Sequence, residues 1–167
     1  MINAIKKRRA IREYLNEPVA DEKIQELLKA AACAPSANAK YPWELVIVKS
    51  QATKELLAKT TPWATFAKDS AVIIAVIGDE KNSAEWVEDC SIVAEHIWLE
   101  TAEQGLGCCW IQIRNQGEAE KKVKEILNIP DKYRVLCLLP IGVLAEELAE
   151  HDEKDTDKSK FKNEKYK

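Results

Sequence analysis

The feature that most constrains the fold is an uninterrupted apolar run at residues 71–78, Ala-Val-Ile-Ile-Ala-Val-Ile-Gly. The run is rich in β-branched residues and too short to span a membrane. An extended chain of this composition has no polar face, so it must be covered on both sides. The run therefore predicts a strand that is buried on both faces.

Helical patterns alternate with extended ones along the rest of the chain. The longest predicted helix ends at Gly105, and its core-facing stripe consists of Trp86, Cys90, Val93, Ala94, Ile97 and Thr101. Shorter helices are predicted at residues 3–7, where Asn3 can act as the N-cap, and at 21–31, where the core face carries Ile24, Leu27, Leu28 and Ala31. Two more are predicted after a Ser50 N-cap and at 118–127.

Three further strands are predicted, at residues 44–48, 108–113 and 135–142. Pro140 interrupts the last of them, which suggests that this strand lies at an edge or that its pairing ends there. Strands that alternate with helices around one long helix predict an α+β or a three-layer α/β architecture.

The length of 167 residues fits one domain with a substantial core, which we expect at residues 1–145. Residues 146–167 are nearly all polar or charged and cannot support a core of their own. We therefore expect a polar C-terminal extension that is disordered or lies as an arm on a partner subunit.

Export, membrane insertion and metal binding are not indicated. The first seven residues lack the apolar stretch of a signal peptide, and no apolar run is long enough for a membrane span. The five cysteines contain no CxxC pair, which argues against a zinc site. We expect buried free thiols in a cytoplasmic protein, with no metal and no membrane partner.

Three arginines, Arg8, Arg9 and Arg12, lie within five residues near the start of the chain. A guanidinium is permanently charged and presents a planar fork of donors that suits phosphate. The net charge is −3, so the cluster is not the by-product of a basic composition. The cluster is either a phosphate site or simply a solvated helix face.

Three more motifs follow in order. Residues 34–48 read Ala-Pro-Ser-Ala-Asn-Ala-Lys-Tyr-Pro-Trp-Glu-Leu-Val-Ile-Val, residues 105–111 read Gly-Leu-Gly-Cys-Cys-Trp-Ile, and residues 140–142 read Pro-Ile-Gly. Together with Arg-Arg-Ala-Ile-Arg-Glu-Tyr at 8–14, they resemble the motifs of the nitroreductase-like flavoproteins, over roughly residues 1–142. Each motif alone is weak, but the set in this order is fairly specific.

The resemblance implies an α+β three-layer sandwich with a mixed, mostly antiparallel central sheet and a long central helix. It implies a homodimer with FMN at the subunit interface. NADH or NADPH would reduce the flavin, and a nitroaromatic, a quinone or a similar conjugated acceptor would reoxidise it in a ping-pong cycle. No catalytic side chain is implied, because the hydride passes through flavin N5.

The same resemblance implies a set of cofactor-binding residues. Arg8 and Arg9 would neutralise the phosphate, and Arg12 would lie near N1 and O2 of the flavin ring. The complete set is Arg8, Arg9, Ala10, Arg12, Ser36, Ala37, Asn38, Trp110, Ile111, Gln112, Gly142 and Lys160. Residues 36–38 would let the cofactor lie close, and the backbone at 110–112 would bind its N5/O4 edge. Lys158, Lys160 or Lys162 of the C-terminal extension would add a further positive charge at the phosphate.

The chain also departs from the family pattern. Ala10 replaces a common Ser or Thr, Ala39 and Tyr41 replace the usual Asn and Gln, and Gln112 and Ile113 replace frequent glycines. Two alternatives to the enzyme follow. One is a flavin carrier or sensor without turnover, and the other is a nucleic-acid-binding module, against which the single basic cluster in an acidic chain argues. We expect no nucleic-acid partner.

Overall fold

The computed structural model describes residues 1–146 and 148–166. The helices are α1 (Asn3–Lys7), α2 (Asp21–Ala32), α3 (Gln51–Leu57), α4 (Trp86–Glu103) and α5 (Glu118–Leu127). The strands are β1 (Trp43–Val48), β2 (Val72–Asp79), β3 (Leu106–Cys108), β4 (Ile111–Gln112) and β5 (Tyr133–Val143). Short 3-10 helices lie at Ala37–Ala39, Thr65–Asp69, Glu153–Asp155 and Lys158–Lys160. In the described part of the chain, no helix is long and apolar enough to cross a membrane.

The sheet is antiparallel, with the strand order β1-β2-β5-β3 and with β4 also paired to β5. Side chains of β2 alternate between two core clusters, because successive residues of a strand point to opposite faces. Ile74 packs with α4 residues such as Val93, whereas Ile73 packs with Leu57 of α3 and Val123 of α5. The predicted three layers, the buried strand and the buried stripe of the long helix are confirmed.

Some predictions about local structure are wrong. Asn3 does not cap α1: the N-cap is Ile2, no side chain caps the helix, and Asn3 is its first residue. Pro140 does not lie at an edge, because β5 pairs with β2 on one side and with β3 and β4 on the other. The alternative prediction, that pairing ends at Pro140, holds on the β3–β4 side, where the pairing is interrupted. By contrast, the Ser50 cap is confirmed, since its side chain accepts a hydrogen bond from the Thr53 amide.

The position of Pro140 also explains why residues 108–113 do not form one strand. β3 pairs as far as Cys108 with Ile141, and β4 resumes at Ile111 with Leu138. The interruption lies opposite Pro140, which has no N–H to donate to a neighbouring strand. A proline is therefore tolerated inside the sheet, because the adjacent ladder is open at that point.

The segment after α1 docks at this interruption. The amide of Ile11 donates to the carbonyl of Cys108 (2.9 Å), and the amide of Leu15 donates to that of Val143 (3.0 Å). The Tyr14 hydroxyl lies 2.8 Å from the carbonyl oxygen of Ile11 and 3.0 Å from that of Pro140. Because each contact involves main-chain atoms of the sheet or the segment itself, the arginine-bearing stretch has a fixed path.

Two paired glycines make room for this segment. A Cβ atom on Gly107 would lie 2.6 Å from Cγ2 of Ile11, and one on Gly142 would lie 2.8 Å from Cδ1 of Tyr14. The two glycines face each other in the register of β3 and β5. Their missing side chains leave the opening that the Ile11 and Tyr14 side chains fill.

We expect Tyr14→Phe to lower the free energy of unfolding by about 1–3 kcal/mol, because the Pro140 carbonyl would lose its donor. Urea denaturation followed by circular dichroism measures the change. Tyr166→Phe removes the same hydroxyl at a side chain that is 90% exposed, and it should shift stability by less than about 0.5 kcal/mol. Equal stability of Tyr14→Phe and wild type would contradict this account of the docking.

Thiol reactivity provides a second test of the core. Cys33 is exposed, whereas Cys90, Cys108, Cys109 and Cys137 are buried, and all five are free. Burial raises the pKa of Cys90 to about 12 and also raises the pKa of the other three buried thiols.

We therefore expect at most one fast-reacting thiol per native chain with Ellman's reagent, that of Cys33, and reaction of the four buried thiols only after denaturation. Cys33→Ser should abolish the fast phase and leave the four slow thiols unchanged. A second fast thiol in the native protein would show that one of the buried sites opens more readily than its packing implies.

Candidate functional site

The three arginines contact three different groups. The guanidinium of Arg8 lies 4.6 Å above the centre of the Trp98 ring. Arg9 donates through Nε (3.1 Å) and Nη2 (2.7 Å) to the carbonyl of Ala149. Arg12 lies 5.9 Å from the Phe66 ring. Arg8 and Arg9 therefore belong to the α4 side of the sheet, whereas Arg12 approaches a ring that packs with the opposite core cluster.

Trp98 of α4 fixes the first two arginines. Its indole Nε1 donates to the carbonyl of Arg9 (3.2 Å), while its ring stacks under Arg8. Arg12 has a corresponding neighbour in Cys109, since the arginine charge lowers the pKa of that thiol while burial, the larger effect, raises it. The arginine segment is thus tied at one end to α4 and at the other to the break between β3 and β4.

A cavity of about 290 Å³ lies beside the arginine segment. Two cations, Lys7 and Arg9, and one carboxylate, Glu150, line it together with apolar side chains. The apolar lining includes Ile11, Trp98, Leu106 and Leu144, and the C-terminal extension contributes Leu148 as well as Glu150. The volume is at the low end of the roughly 300–1,000 Å³ that is typical of ligand sites, and the combination of cation and apolar wall suits an anion with an aromatic part.

The C-terminal extension packs on the same segment. His151 donates its amide to the carbonyl of Lys6 (2.8 Å), and its Nε2 lies 3.2 Å from the carbonyl oxygen of Arg8. Lys160, by contrast, lies exposed in the Lys158–Lys160 turn, and among the described residues no hydrogen bond joins it to the arginines. Within the predicted extension, residues 147 and 167 lie outside the described residues.

The loop at residues 34–43 is held by Asp89 of α4. Ser36 donates its hydroxyl to Asp89 Oδ2 (2.6 Å), and the amide of Ala37 donates to Oδ1 (3.0 Å). The amide of Tyr41 in turn donates to Ser36 Oγ (2.8 Å). The sequence analysis missed Asp89, although an acidic residue three positions after Trp86, on the side of the helix that faces the core, was a signal.

The backbone of this loop is strained. Asn38, Ala39 and Tyr41 have φ angles of 52°, 54° and 46°. For residues with a Cβ the left-handed region costs roughly 1–2 kcal/mol each, although Asn tolerates it better than Ala or Tyr. Such strain persists only where neighbouring contacts hold it, and here the Asp89 and Ser36 bonds provide them.

Residues 110–112 lie at the break between β3 and β4. Trp110 donates its indole N–H to Gln112 Oε1 (2.9 Å), and the Gln112 amide donates to the carbonyl of Arg114 (3.0 Å). Ile111 points into the core and is 2% exposed. Between β3 and β4, the pairing with β5 skips Cys109 and Trp110. The peptide groups of these two residues therefore do not take part in the sheet.

The structure brings some predicted residues together and keeps others apart. Ala10 pairs with Cys108, two residues before Trp110, and Gly142 faces Gly107, so the arginine segment, residues 110–112 and Gly142 share one end of the sheet. The loop at 36–38 is anchored elsewhere. Its anchor, Asp89, precedes Trp98 by nine residues of α4, which is about 14 Å along the axis at 1.5 Å per residue.

Comparison with known proteins agrees with this geometry. A family model described as "Putative TM nitroreductase" matches residues 1–167. A "Putative NADH dehydrogenase/NAD(P)H nitroreductase" of Methanothermobacter thermautotrophicus is 32% identical over 161 residues, covering 95% of this chain and 84% of that protein.

Solved structures show the same likeness. An FMN-dependent nitroreductase from Clostridium difficile R20291 is 36% identical with a TM-score of 0.95, covering 99% of this chain and 100% of that one. The crystal structure of a "Putative NADH dehydrogenase/NAD(P)H nitroreductase" from Bacteroides thetaiotaomicron is 31% identical with a TM-score of 0.93, covering 98% of this chain and 96% of that one. The predicted fold class is confirmed, and the chain belongs to the nitroreductase family.

Proposed function

We propose that the protein is an FMN-dependent oxidoreductase that passes electrons from NADH or NADPH to a nitroaromatic, a quinone or a similar conjugated acceptor. The observation that carries the proposal is the arginine segment, fixed on the sheet beside a cavity that has apolar walls and is lined by Lys7 and Arg9 against a single carboxylate, Glu150. FMN combines an anionic phosphate with a flat aromatic ring, and both parts fit these surroundings. The similarity to an FMN-dependent nitroreductase supports the same cofactor.

Each group of residues has a role in holding the cofactor. Arg8 and Arg9 would neutralise the phosphate, and Arg9 would then exchange its bonds to the Ala149 carbonyl for bonds to phosphate oxygens. Arg12 would stabilise negative charge at the N1/O2 edge of the ring. The unpaired peptide groups beside Trp110 would bind the N5/O4 edge, and Lys160 would supplement the phosphate charge.

When bound, FMN supplies the chemistry, since it accepts a hydride at N5 and returns electrons to the acceptor. The chain binds and orients the flavin and shields it from solvent. The Trp110–Gln112 pair is positioned to restrict the space at this edge of the sheet, because Trp110 donates to Gln112 and Gln112 in turn donates to the Arg114 carbonyl. This restriction favours small, flat acceptors. A flavin carrier or sensor without turnover would have the same restricted space.

We further propose that the active form is a homodimer with FMN at the interface. The cavity within one chain is small for the cofactor, and the loop at 36–38 is anchored about 14 Å along α4 from the arginine anchor. In a two-fold pair, the same surface meets its own copy. Two α4 helices that cross antiparallel would bring the loop of one chain to the arginine segment of its partner.

The outer surface of α4 suits this contact. Ile92 is 36% exposed, and His96 and Leu99 follow it at spacings of four and seven residues on the same face. His96 and Leu99 line a groove on this surface, and Ile2 and Ala30 add apolar side chains to it. We also propose a cytoplasmic location, since five free cysteines are typical of a reducing compartment.

The purified protein should be yellow after incubation with FMN, and anaerobic NADH or NADPH should bleach it. Arg8→Gln and Arg12→Gln should each weaken FMN binding about 10- to 100-fold, because hydrogen bonds to charged groups contribute about 1.5–3 kcal/mol. Lys122→Gln removes the same charge at an exposed α5 position and should leave the dissociation constant unchanged.

Flavin fluorescence quenching measures the affinities, and the absorbance of the bound flavin measures reduction. Bound FMN that neither NADH nor NADPH bleaches would favour the carrier or sensor. Colourless protein that shifts a nucleic-acid probe in a salt-dependent way would favour the nucleic-acid-binding module.

Light scattering should give about twice the chain mass of 18.9 kDa. Ile92→Glu should dissociate the dimer and reduce FMN binding at least about tenfold, because a charge would be buried in the apolar contact. Leu56→Glu places the same charge at a 52% exposed leucine of α3 and should do neither. A monomer that retains FMN at full affinity would contradict the interfacial site.

A further inference from the structure

Asp89 is a buried carboxylate with an unusual set of partners. It lies in the first turn of α4 and is 3% exposed. A buried carboxylate is tolerated when hydrogen bonds replace its water, and the N-terminal turn of a helix favours its charge. Both oxygens accept from the loop: Oδ2 from the Ser36 hydroxyl and Oδ1 from the Ala37 amide.

The connection extends through Ser36 to the far side of the loop. Ser36 Oγ donates to Asp89 and accepts from the amide of Tyr41, so one hydroxyl joins α4 to two positions that are five residues apart. Between them lie Asn38 and Ala39, which together with Tyr41 have left-handed backbone angles. Non-glycine residues adopt this conformation only when surrounding contacts impose it.

The loop presents polar and aromatic groups outward. Asn38 and Tyr41 are exposed, while Pro42 behind them is buried and accepts from the amide of Asp79 through its carbonyl. The bend is therefore fixed from α4 at its start and from the sheet at its end. Its outer surface can contact a ligand without first becoming ordered.

We propose that Asp89 is a positioning residue that pre-shapes the loop at residues 36–41 for contact with the flavin, acting through Ser36 and the Ala37 amide. This inference rests on the proposed FMN site, since the ligand of the loop is that cofactor. The energetic reason is pre-organisation: a loop already held in its binding conformation loses less conformational entropy when the ligand arrives. Removing the anchor should therefore weaken binding without removing any group that touches the cofactor.

Three variants separate this role from a general effect on folding. Asp89→Ala removes both acceptor oxygens and with them both bonds to the loop. Ser36→Ala leaves the bond between Asp89 and Ala37 in place while removing the acceptor of the Tyr41 amide. Glu88→Gln, at the neighbouring exposed position of the same helical turn, is the matched control for loss of charge.

The first measurement is amide hydrogen exchange by NMR in protein without FMN. In Ser36→Ala, the Tyr41 amide should exchange at least tenfold faster while Ala37 stays protected. In Asp89→Ala, the Ala37 amide should lose protection, because no side-chain oxygen remains to accept from it. Glu88→Gln should match wild type at both. If the amides of Ala37 and Tyr41 in the wild-type protein exchange as fast as those of an unstructured loop, Asp89 does not anchor the loop. This conclusion would hold whether or not the protein binds FMN.

The second measurement is FMN affinity by fluorescence quenching, on variants whose urea midpoints show that they remain folded. Asp89→Ala should raise the dissociation constant at least tenfold, and Glu88→Gln should leave it unchanged. Loss of exchange protection with unaltered FMN affinity would overturn the positioning role while leaving the proposed function intact. Wild-type protein that binds no FMN would instead overturn the proposed function, and it would be recognised before any variant is compared.

Discussion

The site depends on how the segment from Ala10 to Leu15 is inserted at the break between β3 and β4. Two main-chain hydrogen bonds, the Tyr14 hydroxyl and two facing glycines hold it there, opposite a proline that leaves the ladder open. Without this docking, three adjacent cations would lie on a free strand and repel one another. With it, Arg8 stacks on Trp98 and Arg12 is carried toward Phe66, at opposite faces of the sheet. A packing detail of the backbone thus determines where the charges of the site lie.

Helix α4 connects the two parts of the site. Near its start, Asp89 holds a strained loop, and further along Trp98 supports the arginine segment. Its inward stripe is fully used by the core, and its outward face carries Ile92 and Leu99. A single rigid helix therefore sets the spacing between the loop, the cavity and the surface through which a second copy would complete the site.

Local patterns in the sequence predicted much of the fold. The apolar run of β2 and the stripe from Trp86 to Thr101 are visible because an uninterrupted apolar segment and a period of 3.6 residues are both properties of neighbouring positions. For Pro140 the sequence left an edge and the end of pairing as alternatives, since its consequence depends on a gap in a strand about 30 residues earlier in the chain. Asp89 was missed for a related reason: the partner that makes a buried acid acceptable lies 53 residues away. The residue types around the site were predictable, but the directions of the guanidinium groups were not, because each is set by a ring or carbonyl that is distant in sequence.

The bonds between Arg9 and the Ala149 carbonyl have a thermodynamic consequence. The same fork of N–H groups cannot serve a main-chain oxygen and a phosphate at once, so occupancy of one opposes occupancy of the other. If FMN binds Arg9 as proposed, reciprocity of linked equilibria requires that whatever restrains the chain near Ala149 weakens FMN binding by the same factor by which FMN frees that stretch. The segment around Ala149 would then act as an internal competitor whose strength sets how readily the protein exchanges FMN.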